Sequence, residues 1–225
     1  MKTQKDTRQI TEEQNGSNKA YNDRWGKPAG RESIRKAIEA LKRNGINAEL
    51  AESKEEAKEK ALSLIKEGSE VMTMTSATLD SLGISKEIEE SGKYNAIRKK
   101  LYSMERDVEG REMKKLGAAP EYAIGSFHAL TEDGEIMIAS NTGSQLPAYA
   151  YGSDKVIFVA GANKIVKDIN EGMKRIYEHS LPLESERAKK AYGVKGSSVN
   201  KILIINKEIA PERIKVILAD ESLGF

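Results

Sequence analysis

The chain has 225 residues, 38% of them hydrophobic, and its 37 Lys and Arg set against 35 Asp and Glu leave a formal charge of +2. That length and apolar content suffice for one α/β unit with a real core, and interspersed charges so nearly balanced argue against nucleic acid or an anionic membrane as partner. The absence of cysteine excludes disulfides, thiolate metal ligands, the usual protein-held iron–sulfur clusters and cysteine nucleophiles together.

No segment approaches the ~18 apolar residues of a membrane span, and the opening "MKTQKDTRQITEEQNG" lacks the oily centre of a signal peptide, so a cytoplasmic location is expected. Residues 1–30 are polar, without apolar periodicity except for Tyr21 and Trp25. They are expected to form an arm, flexible or docked through Trp25, ahead of a single α/β domain over 31–225.

In "RESIRKAIEALKRNG", Ile34, Ala37, Ile38 and Leu41 have helical spacing, and Asn44-Gly45 supplies the left-handed stop. A short strand, "INAELA", follows. Ser53 and Glu56 then make the S-x-x-E capping box of a second helix, through Leu62 and Ile65 to Gly68. "EVMTMT" is the next strand, and this alternation predicts a parallel sheet with crossover helices. From Leu79 to about Leu116 the pattern is helical in pieces broken near Gly83 and Gly92, with Ile97, Leu101, Met104, Val108, Met113 and Leu116 as the expected core stripe.

"YAIG" reads as a strand, and Asp133-Gly134 makes "FHALTEDGEIMIAS" a hairpin. "SQLPAYAYG" suggests a turn or two of helix capped by Ser144, and "KVIFVAG" is the most apolar strand. "NKIVKDINEGMKRIYEH" reads as one long helix with Ile165, Ile169, Met173 and Ile176 on one face, and residues 183–192 as a charged helix. Two final strands, "VNKILIIN" and "ERIKVILAD", are close enough for an antiparallel pair at a sheet edge. The fold class expected is therefore α/β: a three-layer Rossmann-like sheet, mostly parallel, with a hairpin and C-terminal edge strands and helices on both faces.

Ligands of open α/β sheets sit outside the carboxyl ends of the strands. Four loops qualify: "TSAT" after "EVMTM", "GSFH" after "YAI", "SNTGSQ" after "IMIA" and "GANK" after "VIFVA". One such loop is ordinary turn chemistry; four at one edge suggest a cradle for a carboxylate, a phosphate or sugar hydroxyls. Candidate binding groups are Thr75, Ser76 and Thr78; Asn141, Thr142, Gly143, Ser144 and Gln145; and Gly161, Asn163 and Lys164. In this reading Lys164 brings a point charge to the head of a long helix, although Lys164 could also be a solvated side chain and Asn163 a plain helix cap. Glu132 could act as general base or nucleophile, with His128 shuttling protons, but "EDG" is equally a hairpin-turn acid. A His128/Glu132 metal pair ranks last, because His179 is the only other histidine. No metal site and no cofactor are expected. The nucleotide-binding G-x-G-x-x-G, the phosphate loop ending GK[ST] and the G-x-S-x-G elbow are all absent.

The run "HALTEDGEIMIASNTGSQLPAYAYGSDKVIFVAGANKIVKDINEGMKRI", followed by "LPLESERAKKAYG" and "ILADESLGF", resembles the LUD-domain family of C-type lactate-utilisation proteins over about 31–225. That resemblance implies a ribose-5-phosphate isomerase and CoA-transferase-like fold. It also implies a role in oxidising lactate or a related hydroxy acid beside iron–sulfur partner proteins. Many relatives carry a cysteine-rich stretch where this chain has "YGVKGSSVNKIL", so a cluster-linked role of that stretch does not carry over. The expectation is a protein that binds a small anionic ligand and holds no cluster itself, with homo-oligomerisation left open. The alternative is a free-standing isomerase or an acyl- or CoA-transfer enzyme that uses Glu132 on a phosphorylated or thioester substrate.

Overall fold

The computed structural model describes residues 23–225, so most of the expected arm, residues 1–22, lies outside the described residues. A six-stranded sheet forms the centre, in the order β1 (Asn47–Ala51), β10 (Ile214–Ala219), β7 (Lys155–Gly161), β4 (Tyr122–Gly125), β2 (Glu70–Thr73) and β3 (Asn95–Ala96). Every pairing in it is parallel, as the helix–strand alternation predicts.

Strand periodicity divides the core into two layers. Val156, Phe158 and Ala160 of β7 and Val216 and Leu218 of β10 turn to one face, where they meet Ile34, Ala37 and Leu41 of α1 (Arg31–Arg43). Ile157, Val159, Ile217 and Ala219 turn to the other, against Ala57 and Ala61 of α2 (Lys54–Ser63), Leu79 of α3 (Ala77–Ser81) and Ile84 and Ile88 of α4 (Ile84–Glu90). A strand apolar on both faces is the mark of a sheet covered on both sides, and each fully buried Ile or Leu contributes about 2 kcal/mol. The fold is thus the expected three-layer Rossmann-like α/β arrangement. The capping box at α2 forms in modified shape: Ser53 Oγ accepts from Glu56 N at 3.2 Å, while Glu56 Oε2 accepts from Glu52 N at 2.7 Å.

A second sheet, in the order β8 (Ile165–Val166), β5 (Ala129–Thr131), β6 (Ile136–Ser140) and β9 (Lys201–Ile205), packs on the α1 side. The expected hairpin is β5–β6, paired antiparallel with Ala129 opposite Met137. Leu130, Ile136, Ile138 and Ile205 face the main core, and Ala129, Met137, Ala139 and Val166 form a third cluster with Ile176 and Trp25. Trp25 is only 5% exposed.

Three expectations about elements change. β9 does take a sheet edge, but β10 does not pair with it. All but one residue of β10 is buried, and the strand lies between β1 and β7 in the middle of the main sheet.

The long helix expected from residue 163 onward does not form as one piece. Ile165 belongs to β8 and pairs with Leu130, and the helix α7 (Ile169–Arg175) starts only after Asp168, whose side chain accepts from Glu171 N at 2.9 Å. Ile169 is left 37% exposed. The chain then passes through a wider turn at Ile176–Ser180 into α8 (Leu181–Tyr192).

The stripe from Ile97 to Leu116 is core only at Ile97. α5 (Ile97–Tyr102) buries that residue alone, and α6 (Arg106–Ala118) buries none and leaves Val108 79% exposed. α6 lies over α5 and the Ala148–Gly152 turn rather than over the sheet.

Candidate functional site

Of the four loops, three converge with the segment after β10. β7 ends in Gly161 and runs straight into a tight 3-10 turn, Ala162–Lys164, which turns the Lys164 side chain inward to 2% exposure. Its Nζ donates to Thr78 Oγ1 at 3.0 Å, in the helix following β2, and to Ser126 Oγ at 3.1 Å, directly after β4. Lys164 is therefore neither at a helix head nor solvated. The two readings fail for the same reason: Ile165 continues into β8 instead of a helix.

Asn163 is not a helix cap either. Its side chain clamps the backbone of the C-terminal segment, with Oδ1 accepting from Leu223 N at 3.1 Å and Nδ2 donating to Gly224 O at 3.2 Å. The Thr78 hydroxyl, which accepts from Lys164, donates in turn to Leu223 O at 3.3 Å. Two glycines permit this closeness. A Cβ at Gly161 would lie 2.4 Å from both Asn163 Oδ1 and Leu223 N, and one at Gly224, where φ is +61°, would lie 2.4 Å from Thr78 Oγ1.

A second cation closes the other side. Arg175, at the end of α7, is fully buried; its Nε donates to Asn163 O at 3.2 Å and its Nη1 to Ser180 Oγ at 3.0 Å and to His128 O. Its Nη2 is buried with no hydrogen-bond partner. No carboxylate among the described residues pairs with either Lys164 or Arg175. Burying an unpaired charge costs several kcal/mol, and the group's own acidity responds. Burial, reinforced by the Arg175 charge, holds Lys164 well below the usual lysine range. Burial alone pushes Arg175 down to about 9, which still leaves it charged at neutral pH.

His128 belongs to the same cluster. Its Nδ1 accepts from Ala139 N at 3.1 Å, which places the ring proton on Nε2. Burial first, and then the Lys164 and Arg175 charges, push it down to about 3. His128 is therefore a neutral imidazole across the physiological range.

The remaining candidates lie outside this cluster. Thr75 is exposed and accepts from Arg98 Nη2 at 3.3 Å, and Ser76 caps α3 by accepting from Leu79 N at 3.3 Å. The Asn141–Gln145 loop braces the edge of the second sheet. Asn141 Oδ1 accepts from Asn200 Nδ2 at 2.8 Å, Thr142 and Ser144 share a hydroxyl contact of 3.1 Å, and Gly143 N donates to Ser140 Oγ at 2.9 Å. Gln145 Nε2 donates to Ala139 O at 3.4 Å, so this loop reaches the cluster only through the residue that holds His128.

Glu132 sits beyond the end of β5. Its carboxylate accepts from Ser33 Oγ at 2.6 Å and Lys36 Nζ at 3.5 Å, both on α1. The sequence reading missed Arg175, whose neighbours in the helical pattern look solvated, and the role of Leu223–Gly224. Ser126 was within a loop singled out as polar.

The arrangement offers a buried guanidinium, a buried amine, two hydroxyls and a neutral imidazole at the carboxyl edge of a parallel sheet. Its chemistry suits an anion. Among solved structures, the chain is similar to a DUF162 family protein from Deinococcus radiodurans, with a TM-score of 0.52 at 12% identity over 85% of this chain and 99% of that one. Weaker likenesses are to eIF2B delta from Chaetomium thermophilum, with a TM-score of 0.35 at 14% identity over 64% of this chain and 60% of that one, and to the tetrameric eIF2B-beta2-delta2 complex from C. thermophilum, at 0.35 and 13% over 72% and 53%. None of the curated proteins matches the sequence significantly. The LUD domain family model matches residues 34–219, which span the whole fold from α1 to the end of β10, and the chain belongs to the LUD-domain family.

Proposed function

We propose that this LUD-domain chain serves the use of lactate or a related hydroxy acid by binding a small carboxylate or phosphate at Lys164 and Arg175, leaving iron–sulfur chemistry to partner proteins. The observation that carries the reading is a pair of buried basic side chains, Lys164 and Arg175, without a carboxylate. A fold retains so costly a feature where an anion offsets it, and the unpartnered Arg175 Nη2 is one donor ready for it. Family membership supports the lactate setting. The lack of cysteine assigns any thiolate-held cluster to a partner. The alternative, acid–base or acyl chemistry at Glu132, has less support, because that carboxylate is already engaged by Ser33 and Lys36.

A thermal-shift series with L-lactate, pyruvate, inorganic phosphate and ribose 5-phosphate tests the reading. A ligand at a hundred times its dissociation constant stabilises the fold by about 2.7 kcal/mol, which is a melting shift of several degrees for a chain of this size. Lys164→Met should abolish the shift without lowering the melting point of the free protein. Absence of any shift across the series, or an equal shift in the variant, removes the proposal.

A further inference from the structure

The Lys164 amine is an unusual group for a site that only binds. Its Nζ touches two hydroxyls and no carboxylate, it is 2% exposed, and a second buried cation, Arg175, anchors on the adjacent Asn163 carbonyl. Two positive charges confined together in a low-dielectric interior repel, and the ammonium is the one that can shed its proton, since a guanidinium holds its own far more tightly. A lysine desolvated beside another cation is an activated nucleophile. Both hydroxyl neighbours accept from an ammonium, and Ser126 can donate to a free amine, as Thr78 can once its bond to Leu223 O is broken.

We propose that Lys164 forms an imine with a 2-oxo acid, the oxidised partner of a 2-hydroxy acid, while Arg175 holds the carboxylate of the same molecule. The pairing dictates the ligand class: an amine nucleophile asks for a carbonyl, and an unpartnered buried guanidinium N–H asks for an anion next to it. The nitrogen lone pair attacks the carbonyl carbon, forming the C–N bond and breaking the C=O π bond, while one nitrogen proton passes to the oxygen to give a carbinolamine. That hydroxyl then takes the second nitrogen proton and leaves as water as the C=N bond forms. One water is lost and nothing is oxidised or reduced. Thr78 and Ser126 are the hydroxyls placed to relay these protons. Access requires Leu223–Gly224 to part from Thr78 and Asn163 by breaking the three hydrogen bonds described above, a local opening of the kind native proteins undergo.

This inference rests on the anion-binding reading but fails separately from it. The full-length protein is incubated with pyruvate and sodium cyanoborohydride, digested and mapped by mass spectrometry, while L-lactate, which has no carbonyl, is followed in parallel by thermal shift. The expected result is one reduced pyruvate adduct, on the peptide carrying Lys164, formed faster than on any exposed lysine and suppressed by excess L-lactate. Mapping the wild-type protein locates the adduct even if Lys164→Met fails to fold. A lactate shift with no adduct at Lys164, or labelling spread evenly over surface lysines, overturns the imine and leaves the binding site. Neither shift nor adduct overturns both.

Discussion

Acid should destabilise this protein through one imidazole before its carboxylates titrate. His128 accepts the Ala139 N–H at Nδ1, so protonating that nitrogen breaks the bond and adds a charge beside two buried basic groups, Lys164 and Arg175. In the unfolded chain the ring takes its proton near 6.5, whereas in the fold it resists until about 3. The unfolded state therefore binds the extra proton throughout that window, and stability, present in full above 6.5, falls as the pH drops towards 3. At about 1.4 kcal/mol per unit the whole interval amounts to about 5 kcal/mol, an upper value because His128 keeps some contact with solvent. About 2–3 kcal/mol of it is lost between pH 6.5 and 4.5, a large share of a total stability of order 5–15 kcal/mol. Urea unfolding followed by circular dichroism at half-unit steps over that range measures the slope. His128→Asn keeps an oxygen to accept from Ala139 and cannot titrate, so its slope should be flatter. Identical slopes, or an NMR titration of the His128 ring with a midpoint near 6.5, would refute the argument.

At the alkaline end, Lys164 prefers to be neutral in the fold and charged in the unfolded chain, so stability should rise with pH from its depressed value up to the ordinary 10.5; Lys164→Met should flatten that rise in the same unfolding assay. Gly161→Ala drives a Cβ against Asn163 and Leu223 and should cost about 1–3 kcal/mol by overpacking, read as a lower urea midpoint. Gly224→Ala meets Thr78 in a left-handed backbone; it should speed amide exchange at Leu223 and leave the exchange of β7 unchanged. Glu132→Gln loses a part-exposed ion pair to Lys36, so a change of about 0–1 kcal/mol is expected in thermal unfolding, with anion-induced melting shifts intact.

The main sheet was legible because its strands obey local rules: "KVIFVAG" and "YAIG" are apolar on both faces, and Ser53 caps α2. The edge where Thr78, Gly161, Asn163 and Lys164 lie followed from one general rule about parallel sheets. What defeated the reading was tertiary. Residues 165 and 166 are too few to signal a strand and take that form only because β5 offers a partner. Arg175 is one cation among the many of a helical surface until α7 packs it against His128 and Asn163. The Asn141–Gln145 loop has the composition of a ligand cradle, but it belongs to a second sheet whose placement no periodicity encodes, and Asn200 ties it there. The Met and Leu stripe of α6 has core spacing without a core to face.

The position of β10 bears on how the chain is made. Among the described residues β1 has no neighbour in its sheet other than β10, with Asn47 opposite Lys215, and β7 pairs with the other side of β10. During synthesis β1 cannot pair with β10 until residues 214–219 have been made, and the loop closed by that pairing costs more entropy than any helix or hairpin formed meanwhile. Until then β1 and β7 each present an open edge, that of β7 strongly apolar. Such edges invite pairing with other chains, so a chain whose β10 has not yet docked should aggregate more readily than the folded protein.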